Sequence, residues 1–169
     1  DELPAQAPSF FFIDIQPDQS EAFVALLRRH SKDPAPRLTP LIRSRLSALK
    51  GHAIKMEPMS QEEEQREKTT EKEERRKKWY LTREYVLTFL QDLLKDNKIV
   101  QGSWWKPGQV FPKPLISIEE DAAKQLGLTV GDTVELDIQG APITGEISSI
   151  RQVEWGNFST NFYMIFSPG

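Results

Sequence analysis

Two histidines, one serine–aspartate neighbourhood and one acidic run are the places where this 169-residue chain could do chemistry. His30 is followed by Ser31 and Asp33, so the three residue types of a serine-hydrolase triad lie close together. Such a triad needs its nucleophile on a strained turn, and the stretch supplies none. There is no GxSxG elbow, no HExxH and no glycine-rich phosphate loop. Arg28-Arg29-His30 instead suits the end of a helix, where cations meet the last carbonyls. His52 follows Gly51 in a turn and is read as exposed. Glu119-Glu120-Asp121 falls in a first helical turn, where carboxylates oppose the helix dipole. Oxygen ligands at cation-binding spacing are missing, and so is cysteine, which rules out thiolate metal sites and thiol nucleophiles. No catalytic, cofactor-binding or metal-ligating residue is assigned. Asn157-Phe158-Ser159 is a formal glycosylation sequon, meaningless if the source is bacterial.

The aromatic residues carry a different kind of chemistry. Trp104, Trp105 and Trp155 fit a stacking platform, a hydrophobic ligand groove or plain core, with core the default for large aromatics. They are the candidate surface for a hydrophobic ligand or partner.

The bulk composition sets limits. A net charge of −3 and a pI near 5.5 argue against a broad nucleic-acid footprint, which requires a clearly basic face. No segment approaches the ~20 apolar residues that a spanning helix requires. The chain starts at Asp1, and both ends are rich in Pro, Ala and Gly, as expected of a piece excised from something longer.

Elements must then position these side chains. Ser9 to Gln16 reads as a strand. Asp18 with Glu21 reads as a capping box opening a helix whose buried stripe is Ala22, Phe23, Leu26 and Leu27. Leu41 to Ala48 alternates as a half-buried strand and Lys50-Gly51 turns. Ser60 to Lys78 holds 14 of the 47 charged residues and no apolar one, with Glu71–Arg75, Glu73–Lys77 and Glu74–Lys78 among its i,i+4 pairs. That stretch reads as a solvated helix. Leu81 to Phe89 follows as a strand, with a helix through Leu90, Leu93 and Leu94 as the competing reading. Ile99-Val100 forms a short strand. Ser117 with Glu120 opens a third helix that Gly127 closes. Thr133 to Ile138 and Ile143 to Val153 form antiparallel strands around a turn at Gln139 to Pro142. Ser159 to Phe166 is apolar on both faces and expected to be central. The run Gly127-Leu128-Thr129-Val130-Gly131-Asp132-Thr133-Val134 is of a kind found in several small β-barrels.

Six blocks in order, Phe11–Gln19, Pro40–Leu49, Leu81–Thr88, Asp96–Trp105, Ile116–Asp137 and Ser149–Gly169, resemble the large extracytoplasmic domain of FtsX-like, MacB-type ABC transporter permeases. The subgroup is the many-spanning one associated with a lysophospholipase. The resemblance implies a single α+β extracytoplasmic domain over 1–169. A β-α-β, ferredoxin-like lobe nearest the membrane (9–50 with 155–166) would be joined by a charged helical insertion (56–78) and a β-rich lobe with one helix (98–153). That insertion departs from the family pattern in length and charge. The resemblance further implies a non-catalytic domain facing the periplasm from the inner membrane. A cytoplasmic ABC ATPase would be its partner through the rest of the permease. An extracytoplasmic protein or a lipid-like substrate would be engaged on the outside, with no nucleic acid and no cofactor. The alternative is a free-standing periplasmic binding or adaptor module for a hydrophobic ligand.

Overall fold

Thr133–Ile138, β6 of this chain, pairs with strands on both of its sides, and that double pairing closes the sheet. The computed structural model describes residues 15–30, 38–55, 68–156 and 160–168. The elements in chain order are α1 (Ser20–His30), β1 (Ile42–Leu49), β2 (His52–Ala53), α2 (Lys68–Thr82), β3 (Glu84–Phe89), β4 (Asn97–Gly102), β5 (Leu115–Glu119), α3 (Glu120–Leu126), β6, β7 (Ala141–Val153) and β8 (Met164–Phe166). The fold is α+β. By contacts the chain divides into two units, 1–39 and 40–169.

In the first unit, a 3-10 turn at Pro17–Gln19 leads into α1. The helix begins at Ser20, two residues after the expected Asp18 cap, and the local bond is Gln16 N–H to Gln19 Oε1 at 3.2 Å. Its expected buried stripe lies open, with Ala22 and Leu26 exposed and Phe23 and Leu27 half-buried. The expected strand at 9–16 falls almost wholly outside the described residues.

Among the described residues, the second unit is built on eight strands in one sheet. Following the pairings β1–β3–β8–β5–β7–β6–β1 returns to the start, so six strands close a barrel, with β2 and β4 as additions at its edge. Closure removes the free edges of those six strands. It depends on the length of β7, whose first half pairs with β6 while its second half pairs with β5 on one side and β4 on the other. Alternation along β1 puts Arg43 and Arg45 outward and Ser44 and Leu46 inward, as its sequence requires. Leu46, Tyr85, Leu87, Ile116, Ile118, Val134, Leu136, Ile147 and Met164 form the buried core with α3. At ~25 cal/mol per Å² of apolar surface, this burial is the main stabilising contribution.

Two local readings change. Ser117 and Ile118 belong to β5, and α3 is capped by Glu119, whose carboxylate accepts from Ala122 N–H at 2.8 Å. Leu81 and Thr82 finish α2, and β3 starts at Glu84. The helical alternative past Phe89 does not occur. β8 is central, parallel to β3 and antiparallel to β5, but only three residues long because Thr160–Tyr163 run outside the sheet.

Candidate functional site

β4 and β7 pair antiparallel from Asn97 opposite Val153 to Gly102 opposite Ser149, and Asn97 also reaches Asn161. Three clusters occupy this region.

The first is a buried polar one. Arg151 is fully buried, and its guanidinium donates to Asn97 Oδ1 at 2.7 Å and to the backbone oxygen of Phe162. Asn97 Nδ2 in turn donates to Asn161 Oδ1 at 2.7 Å. Glu119 lies opposite Arg151 in the β5–β7 register and is also buried. Burial lowers the proton affinity of the guanidinium, and the Glu119 carboxylate opposes that shift. Guanidinium groups are basic enough to stay charged regardless. The cluster ties the approach to β8 onto the barrel.

The second holds Trp104 and Trp105, whose ring centroids are 3.9 Å apart at 31°. Trp105 is buried and Trp104 half-buried, and they pack with Phe162, Ile165, Leu90, Leu94, Phe111 and Leu115. Their indole N–H groups donate to Gln91 O (2.9 Å) and Leu90 O (2.8 Å) respectively. Rings held this way fix residues 90–94 against the barrel wall.

The third surrounds Arg83 and was not foreseen from the sequence. The Arg83 guanidinium carbon sits 4.0 Å from the Trp79 ring centroid, 4.4 Å from Tyr163 and 5.4 Å from Tyr85. Tyr80 packs edge-on to Trp79 and Tyr163, and Trp155 lies over Tyr163 at 4.8 Å. The third predicted tryptophan therefore joins a different cluster from the first two. Burial raises the pKa values of Tyr80 and Tyr85; at Tyr85 the nearby Arg83 charge opposes it. The available sequence signal was Trp79 and Arg83 at i,i+4, next to the dense aromatics of 79–85.

His30 ends α1 and His52 lies in β2, both exposed, while Ser31, Asp33 and the sequon fall outside the described residues. Among the described residues no group of three or more acidic or histidine side chains is placed to hold a metal. Nor is any described helix long and apolar enough to cross a membrane.

No protein-family model matches the chain. Over 169 residues, 99% of its length, it is 30% identical to an uncharacterized ABC transporter permease, YbbP, of Escherichia coli (strain K12). This chain is related to an ABC transporter permease. It spans 18% of that relative's length. The permease relationship runs through the whole barrel and through α1, so all three clusters lie within the matched stretch.

Proposed function

We propose that the chain is an extracytoplasmic domain of an ABC transporter permease of the FtsX-like, MacB-type group, facing the periplasm from the inner membrane. It would be non-catalytic. A cytoplasmic ATPase would drive conformational change through the membrane part of the permease, and this domain would pass it to an external partner or a lipid-like cargo. One observation carries the reading: almost the entire chain is similar to one part of a permease more than five times its length. Much of the apolar surface of the second unit is buried in the barrel interior and around Trp105, Phe162 and Ile165, which fits an extramembranous part.

Absence of cysteine from the chain makes the test direct. Lys113→Cys, at an exposed position, is introduced into the full-length protein in its own membrane. It is then treated with a membrane-impermeant maleimide, with the unsubstituted protein as the blank. Labelling of intact spheroplasts is expected. Labelling only after the membrane is opened would place the domain inside and end the proposal.

A further inference from the structure

The Arg83 cluster has the composition of a phospholipid-headgroup site. Lys72, Trp79 and Arg83 follow one another at i, i+7 and i+11, so α2 and the residue after it carry them along one stripe. Trp79 is 48% exposed and Trp155 is 47% exposed, although each indole contacts Tyr163. Arg83 Nε donates to Glu84 O at 3.3 Å, and among the described residues its terminal N–H groups have no acceptor and no carboxylate pairs with it. The neighbouring acids are engaged: Asp121 with Arg76 at 3.4 Å, Glu84 with Arg43 at 3.9 Å, and Glu119 with the α3 N-terminus. Glu154, exposed beside Trp155, opposes the cations.

We propose that this surface binds anionic phospholipid headgroups at a bilayer surface, with Arg83 taking a phosphate and Trp79 and Trp155 entering the headgroup layer. A guanidinium held between ring faces is already oriented, and its open fork matches two phosphate oxygens. Indole and phenol rings with lysine and arginine beside them are the side chains that settle at the headgroup level of membranes. A protein partner of ordinary affinity would need roughly 800 Å² of complementary surface on each side. A phosphodiester needs only the fork and its flanking rings. The proposal stands on this surface alone and not on the orientation of the chain in a permease.

The test is co-sedimentation of the 169-residue chain with phosphatidylcholine vesicles, with and without phosphatidylglycerol, at low and high salt. Binding is expected only with phosphatidylglycerol and should weaken as salt screens the charges. Arg83→Gln should weaken it by about fivefold, the effect of one cation at an anionic surface, with Arg83→Lys in between. Trp79→Ala and Trp155→Ala should each weaken it and reduce the blue shift of tryptophan emission on binding, and the double variant should abolish it. Far-UV circular dichroism establishes that each variant is folded. Equal binding to both vesicle types, no binding, or binding unchanged in folded Arg83→Gln would each overturn the proposal. Binding to polyglutamate or to free glycerophosphoglycerol without binding to vesicles would overturn it too, in favour of an acidic protein segment or a soluble phosphodiester.

Discussion

The Arg151 guanidinium donates to Asn97 Oδ1 at 2.7 Å inside the protein, joining the end of β7 to the first residue of β4. A buried cation that loses an acceptor keeps its desolvation cost and forfeits the compensation. Asn97→Ala should therefore lower the free energy of unfolding in urea by about 2–3 kcal/mol. Arg151→Met should cost more, because it leaves the buried Glu119 carboxylate without its counter-charge and Asn97 Oδ1 and Phe162 O without a donor. The reverse order would mean that Arg151 is not held as described.

Gly102 has φ +71°, and a Cβ built there would lie 2.1 Å from Ser148 O. Gly127 shares the left-handed conformation, at φ +64°, but has nothing within 4 Å. Gly127→Ala should cost about 1 kcal/mol from backbone conformation alone. Gly102→Ala adds a collision with main chain and should cost at least about 2 kcal/mol more than that. Paired thermal melts decide it, and equal losses would remove β4 from its close approach to β7.

Trp105 is buried with its N–H committed to Leu90 O, so Trp105→Ala should destabilise by about 3–5 kcal/mol. Trp104→Ala, at a half-buried position, should cost less. Urea unfolding of the two variants separates packing from ligand binding, because a ligand-surface tryptophan could be removed with little loss of stability.

Tyr85 donates to Tyr80 O at 2.5 Å, and burial holds its hydroxyl well above the ordinary phenol range. The folded value lies above the unfolded one of about 10, so the stability from this group is present below that pH and is lost as pH rises beyond it. Each such tyrosine contributes a fall of up to about 1.4 kcal/mol per pH unit. Tyr85→Phe should cost about 1 kcal/mol at neutral pH by removing the hydrogen bond, and should flatten the alkaline decline. Urea unfolding across the alkaline range measures both. An unchanged slope would mean Tyr85 titrates normally.

Alternation and turn chemistry made much of the barrel legible. Arg43 and Arg45 against Ser44 and Leu46 specify a half-buried β1, and Gln139-Gly140, at φ +54° and +91°, specify the β6–β7 hairpin. The run from Gly127 to Val134 serves as its residue types suggest. Gly127 closes α3, Asp132 Oδ2 accepts from Thr129 N–H at 2.8 Å, and Thr133 starts β6. Ser117 misled because Ser followed by Glu three residues later is a capping signal wherever it occurs. Pairing of Ser117 with Ile165 in the sheet outweighed it, and the cap passed to Glu119.

By itself, then, the sequence determined the class of fold, the turns, the absence of thiol chemistry and, through the order of its blocks, the relation to permeases. Those properties are written in neighbouring residues or in residue types, and need no knowledge of who meets whom across the chain. Closure of the barrel through β6, the buried bond from Arg151 to Asn97, and the division of the tryptophans between two clusters were decided only in three dimensions. Each depends on register between segments dozens of residues apart, as with Trp79 and Tyr163, whose ring centroids lie 6.2 Å apart. Local preference says nothing about such pairings, because they are selected by the joint burial of many side chains at once.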